Sequence, residues 1–411
     1  MHRSIRASLE GASQPPRRSA LLAVLLFIAL APTARATNVS RISAFVVGVV
    51  TPSYNPFSAL FAQDPQFTYD AYPVCGICSM EENRKLARRY YPRTGQELID
   101  NYDVMVFCEA RIEHFLPKQF HDLDRAFREG GMIGASSPGC CWDSAWLPTI
   151  LYHLMPVSEY GQYARMVPYT VSFRREREPV FTPFADLGME RVAGKNYHVM
   201  KPKEGATTRA DMRPNGLPWL ISWKLGGTEA GMMWVFTGTF DPPWWGPAYG
   251  VASENSYAID MLTNLLFHSL DLPLIDDIHA RREARTVLVT FQAKKLLALS
   301  LMEWADTFGA NVLPLLRLLT DVEKEAEAAI GYYIDQNYDS TVSFMESMDA
   351  KVITITEDAV RLKDRAMAWV YASERLAVSG VSLVSVTMTW SLMVRRRMYR
   401  QAGSTRLKPL L

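Results

Sequence analysis

The sequence has no low-complexity tract and almost no net charge. Its 411 residues sum to a formal charge of +1, with 48% apolar and 21% charged residues. That balance excludes a disordered chain, and the length allows two or three domains. Cysteine is scarce and odd in number, with five residues at Cys75, Cys78, Cys108, Cys140 and Cys141. An odd count excludes complete pairing within the chain. Glycine nearly vanishes after Asp276, where only Gly309 and Gly331 precede Gly380. The near-zero charge hides an asymmetry. Residues 1–36 hold five Arg and one Glu, and residues 395–411 hold five Arg, one Lys and no acid. Setting those ends, +4 and +6, against the total of +1 leaves the middle at −9. An acidic middle argues against nucleic acid as a partner.

Charge is also absent from two apolar runs. Residues 20–31 form an apolar stretch behind Arg17-Arg18, followed by Ala34-Arg35-Ala36. This is the pattern of a secretory signal peptide over residues 1–36, with an uncleaved anchor as the alternative. Pro32 closes the run, which is short for a membrane span. Residues 376–394 carry no charge and are bounded by Arg375 and by Arg395-Arg396-Arg397. At about 1.5 Å per residue these 19 residues reach about 28 Å, close to a bilayer core of roughly 30 Å. The alternative is a buried helix of a soluble protein. The arginines, with Arg400, Arg406 and Lys408 beyond, mark residues 395–411 as a cytoplasmic tail. Signal and span together predict a single-pass cell-membrane protein with its N-terminal domain outside.

Between the ends, one stretch organises the rest. Residues 130–157 read as a Gly130-Gly131 turn, a buried strand over 132–135, a small-residue loop with Cys140 and Cys141, and a helix ending at Met155-Pro156. Strand, loop and helix form the half-unit of an open α/β sheet, which binds ligands where loops leave the strands' carboxyl ends. Further strands are expected over 41–50, 66–72, 102–108, 169–173, 219–223 and 232–237. Helices are expected from Glu81, over 95–101, over 114–129 and over 255–270. From Asp276 the pattern turns helical, over 280–307, 310–335 and 340–372, although residues 352–356 are β-branched. Residues 276–375 thus read as a helical stalk between an ectodomain, 37–275, and the span.

The chemistry-bearing residues leave several readings open. In an exported protein the cysteines favour a disulfide, with Cys75 or Cys78 joined to Cys140 or Cys141, and Cys108 packed in the core. A four-thiolate metal site is the alternative, though the second pair is vicinal and not C-x-x-C. Cys140 or Cys141 is also a candidate nucleophile, as are Ser136 and Ser137, whose simpler reading is a small-residue turn ending a strand. His153 reads as a core histidine, and nothing in the sequence fixes the geometry of His114, His198 or Glu109. Glu109 leaves a predicted central strand, and Asp241 with Trp244 and Trp245 suits a sugar or peptide rim. The same Pro-Pro-Trp-Trp run equally suits a loop packed on itself. No cofactor and no metal are predicted.

The order of these segments resembles the class I glutamine amidotransferase-like fold. It runs from strand and acidic exit through helix and "GG + strand" to a helix ending LMPV, then EPVF and LPWLISWKLGG…MMWVFTG. The resemblance covers roughly residues 42–275 and looks closest to the amidotransferase-like domains of prokaryotic membrane-anchored surface proteins. It implies an open, mostly parallel, flavodoxin-like sheet. It also implies a G-x-C-x-G elbow and a His-x-Glu pair, and neither is present: Ser136-Ser137-Pro138 occupy the elbow and Phe240-Asp241-Pro242 the later position. The expectation is therefore a non-catalytic binding or interaction module at the cell surface, with a cell-envelope protein or a carbohydrate as ligand. The alternative is a thiol- or hydroxyl-dependent hydrolase or amidotransferase using the 136–141 loop.

Overall fold

The computed structural model describes residues 41–73, 79–110, 115–137, 149–174, 179–226, 230–240, 242–245 and 255–404. In chain order the elements are β1 (Ile42–Gly48), α1 (Pro56–Gln63), β2 (Phe67–Pro73), α2 (Met80–Tyr90), α3 (Gly95–Asn101), β3 (Val104–Cys108), α4 (Pro117–Arg128) and β4 (Ile133–Ser137). There follow β5 (Val157–Ala164), β6 (Tyr169–Phe173), α5 (Thr182–Asp186), β7 (Ala193–Gly194), β8 (Tyr197–Pro202), β9 (Thr207–Arg213), β10 (Pro218–Lys224) and β11 (Met232–Phe236). The last are helices α6 (Pro242–Trp245), α7 (Ala258–Ser269), α8 (Ile278–Thr307), α9 (Leu313–Ile334) and α10 (Tyr338–Ser404).

The protein is α/β, built on a nine-stranded sheet of order β2-β1-β3-β4-β11-β10-β9-β6-β7. From β2 to β11 the pairs are parallel, and from β11 to β7 they are antiparallel. The sheet is therefore mixed, which corrects the expectation of a mostly parallel one. The error came from residues 206–218, where β9 gives no hydrophobic run; β8 pairs with β5 in a separate two-stranded sheet. Strand β9, TTRADMR, buries only Ala210 and Met212, and a half-exposed antiparallel strand of this kind alternates too weakly to stand out.

In the parallel half the strands are apolar on both faces, because helices cover both. Ala44, Val46, Val104, Val106, Ile133 and Ala135 join α1 and α7 in one cluster. Phe45, Val47, Met105 and Phe107 join α3 and α4 in another. Gly134 lets Phe127 of α4 lie flat on this second face: a Cβ there would stand 2.1 Å from Met233 Sδ and 2.9 Å from Phe127 Cε1. Helix α4 begins at Pro117 because proline suits the first turn, where its missing N–H is not needed. Helix α2 begins with a capping box in which Ser79 and Glu82 satisfy each other's backbone N–H.

Helices α8, α9 and α10 form their own apolar cluster, running from Ala284 to Ala359. The β-branched residues 352–356 are helical, with Val352 and Ile355 buried in that cluster. Ion pairs join the helices laterally: Lys294–Asp349 at 2.6 Å, Lys295–Glu323 at 2.6 Å, and Lys351–Glu325. From Tyr338 the last of these helices and the apolar segment are one helix, α10, of 67 residues; at about 1.5 Å per residue it is about 100 Å long. It is the one described helix long and apolar enough to cross a membrane. Its apolar side chains, among them Leu376, Val381, Leu383, Val386 and Leu392, are exposed.

Where the helices meet the sheet domain, four charges are buried. The Arg281 guanidinium donates to Asp64 Oδ2 at 2.8 Å and to the Tyr338 hydroxyl at 3.2 Å. The Tyr333 hydroxyl donates to the same Asp64 oxygen at 2.8 Å. Arg285 forms two bonds to Asp260 on α7, at 2.5 and 3.0 Å. None of the four is more than 5% exposed. Burial works against the charge on Arg281, but Asp64 and the two tyrosines more than offset it and leave its pKa raised. Asp64 ends α1 and also accepts the Gln66 N–H, so a single carboxylate ties the sheet domain to α8 and α9.

Arg281→Ala removes the counter-charge of a buried carboxylate. We expect it to lower the stability of the full chain by about 3–5 kcal/mol. Thermal or denaturant unfolding in detergent measures this, and a loss below about 1 kcal/mol would show the network to be idle.

Candidate functional site

Four parallel strands deliver their carboxyl ends to one rim, held by backbone contacts. At the end of β1, Gly48 has φ 105° and sits so close to β3 that a Cβ would lie 1.9 Å from the Cys108 carbonyl oxygen. Only glycine fits there. Next to it the Val49 N–H donates to that carbonyl at 2.9 Å. After β3, Glu109 takes a left-handed backbone, φ 50°, and its N–H donates to Ser137 O at 3.3 Å. At the end of β4, Ser137 Oγ donates to Gly238 O at 3.4 Å. Beyond β11, the Thr237 carbonyl accepts the His198 N–H at 2.8 Å, and Thr239 donates through its N–H and hydroxyl to Asn196 O at 3.0 and 3.2 Å. The His198 ring is buried and lies 4.8 Å from the Tyr163 ring. The structure thus brings Glu109, Ser137 and the His198 backbone to one edge, a juxtaposition the sequence left open.

Strand β4 differs from the expected 132–135. It continues through Ser136 and Ser137, which pair with Phe107 and Cys108 of β3, so neither begins a turn. Ser136 is fully buried, pairs also with Val235 of β11, and its hydroxyl has no hydrogen-bond partner. A nucleophile elbow exposes its residue on a strained strand-to-helix turn. Here the left-handed residue stands one strand over, at Glu109, and the Ser137 proton points to a carbonyl and not to a base.

Trp244 and Trp245 do not form an exposed aromatic rim. They are 0% and 1% exposed and close an aromatic cluster, with Trp244 4.5 Å from Trp219 and Trp245 5.1 Å from Phe240. The two tryptophans are core because two indoles together bury more apolar surface than a loop can leave in water. Asp241, His114, Cys75, Cys78, Cys140 and Cys141 lie outside the described residues, as does the segment 1–40. Of the expected helix ending at Met155-Pro156, the described part contains only a single 3₁₀ turn, Ile150–His153.

Cys108 is a free, buried thiol. Burial, with a smaller contribution from the Glu109 charge, pushes its pKa well up. Among the described residues no group of three or more His, Cys, Asp or Glu is placed to hold a metal ion. Neither protein-family models nor curated proteins match this chain.

Two features of the sequence point to this rim without identifying it. Gly48 interrupts a β-branched run, and Glu109 is the lone acid at the exit of an apolar strand. The contacts of Thr237, Gly238 and Thr239 with β8 carry no local signal, because they join residues some forty apart.

Two measurements test this account. Iodoacetamide at pH 8 should leave Cys108 unmodified in the folded chain and label it only in denaturant, read by mass spectrometry; rapid native labelling would contradict its burial. Glu109→Gly should be more stable to heat than Glu109→Ala by up to about 1 kcal/mol, since both remove the side chain and only glycine accepts φ 50° without strain. An alanine variant as stable as the glycine one would mean that the left-handed backbone carries no strain.

Proposed function

We propose that the chain is a membrane-anchored binding module of amidotransferase-like, flavodoxin-like fold, which meets its ligand at the Glu109–Ser137–Gly238 rim and does no covalent chemistry there. The observation that carries this reading is the placement of the left-handed backbone. At the carboxyl edge of the parallel strands it holds a carboxylate, Glu109, while the elbow position holds two buried serines in regular pairing. Residues kept in a sparsely populated conformation cluster at ligand sites. The strand order β2-β1-β3-β4-β11 in the parallel half supports the fold assignment, and open sheets of this type bind at their carboxyl edge. A carboxylate suits hydrogen-bond donors, which fits the hydroxyls of a carbohydrate or the amides of a cell-envelope protein.

Anchoring follows from α10. The uncharged segment 376–394, with Arg395 to Arg397 directly after it, sets a single-pass orientation with the sheet domain outside the cell and residues 395–411 in the cytoplasm. The buried link through Asp64 and Arg281 favours a sheet domain carried rigidly on its helices.

The competing reading is a hydrolase or amidotransferase with a nucleophile among residues 136–141. It draws on one fact, that Ser137 and the His198 backbone both bond to the exit of β11. A fluorophosphonate probe and a thiol-directed probe on the full chain in detergent distinguish the two. We expect no stoichiometric labelling of Ser136, Ser137, Cys140 or Cys141. Labelling of one of them that is lost in His198→Ala would sink the binding reading and establish the enzyme.

A further inference from the structure

Beside the buried Asp64–Arg281 junction, one stripe of α8 faces an open cleft. Arg282, Arg285, Thr286, Val289 and Thr290 follow the i, i+3, i+4, i+7, i+8 spacing of a single helical face. With Gln63 at the end of α1 and Ser256 just before α7, they line a cleft of about 260 Å³. Three separate elements therefore converge on one space. Among the described residues, no acid lines it. The acids nearest in sequence are engaged or turned aside. Asp277 caps α8 by accepting the Ala280 N–H at 2.9 Å, and Glu283 stands about 100° round the helix from Arg282. Asp260 lies behind the cleft and is taken by both terminal nitrogens of Arg285.

Arg282 differs from its two neighbours, Arg281 and Arg285. It is half-buried and forms no ion pair among the described residues. Its guanidinium carbon lies 5.2 Å over the Tyr257 ring, and the His279 ring braces that tyrosine edge-on at 5.6 Å. An aromatic shelf thus positions the cation, and no carboxylate neutralises it. The hydroxyls of Ser256 and Thr290 and the Gln63 amide make no hydrogen bond among the described residues. Thr286 is different, because its hydroxyl already donates to the Arg282 carbonyl at 2.7 Å. What the cleft offers is one uncompensated guanidinium and several unused neutral donors. A guanidinium is planar, always charged and suited to oxygen anions, and its bonds to them are roughly twice as strong as neutral ones.

We infer that this cleft is an anion site, in which Arg282, Thr290, Ser256 and Gln63 hold a tetrahedral oxyanion, the phosphate or sulfate group of a soluble molecule. Donors arriving from three elements suit a group that accepts in several directions. The site is separate from the Glu109 rim. It also lies far from the apolar segment of α10. Arg281 places the start of α8 level with Tyr338, and Leu376 is 38 residues farther along α10, about 55–60 Å at about 1.5 Å per residue. On the single-pass reading, lipid phosphates are therefore out of reach. A bound anion would bridge α1, α7 and α8, the elements that the buried ion pairs already join.

The test measures thermal unfolding of the full chain in a maltoside detergent, which carries no phosphate. Sodium phosphate and sodium sulfate are compared with sodium chloride at equal ionic strength, for the natural chain, Arg282→Gln and Thr290→Val. Both anions strengthen burial in any protein, so the readout is the difference between chains. A ligand that binds only the folded state raises its melting temperature. We expect phosphate or sulfate to raise the natural chain by about 1–3 °C more than Arg282→Gln, with Thr290→Val between them. Equal increments in the natural chain and Arg282→Gln, or none in the natural chain, would overturn the inference. Should Arg282→Gln fail to fold in chloride, Thr290→Val decides alone, and an increment equal to the natural chain's would overturn it.

Discussion

The carboxylate of Asp64 is the point on which the molecule's two halves depend. It ends α1, accepts the backbone of the next turn, and takes hydrogen bonds from Arg281 on α8 and Tyr333 on α9. The desolvation penalty of each ion is several kcal/mol, and the bonds of Arg281 and Tyr333 to Asp64 offset it. The neighbouring Asp260–Arg285 pair repeats the arrangement on α7. Two acids and two bases make the cluster neutral, and the aromatic walls of Phe267 and Tyr333 exclude water around Arg281. Such a junction has one geometry and loses much of its energy when displaced. It acts as a weld where a flexible linker would have let the sheet domain reorient freely.

That rigidity gives the rim and α10 a fixed relation. The carboxyl edge of the parallel strands is held by contacts that are mostly backbone: Gly48 against Cys108, Glu109 against Ser137, His198 against Thr237.

Much of the parallel half was legible from sequence. The β-branched runs that became β1 and β3, and the Leu/Phe spacing that became α4 and α7, announce elements buried on a defined face. In the antiparallel half β6 and β10 were legible as strands, but β9 was not, because it buries only two residues, and strand direction is decided by partners distant in the chain. The candidate site divides in the same way. Glu109 and the Ser136-Ser137 pair stood out as residues, but their roles exchanged once placed: the serines became strand and core, and the acid took the strained position. Trp244 and Trp245 were ambiguous between rim and core because indole serves both, and only the cluster around Trp219 resolved them inward.

The sequence by itself determined an α/β domain followed by helices, a terminal segment long and apolar enough to cross a bilayer, and the absence of an amidotransferase elbow. These are properties of composition and local period, which need no knowledge of distant contacts. Tertiary structure alone decided that the sheet is mixed, that Ser136 is sealed inside it, and that Asp64 and Arg281, 217 positions apart, share one bond. A buried ion pair leaves no periodic trace, because each partner looks like an ordinary surface charge until the chain removes both from water.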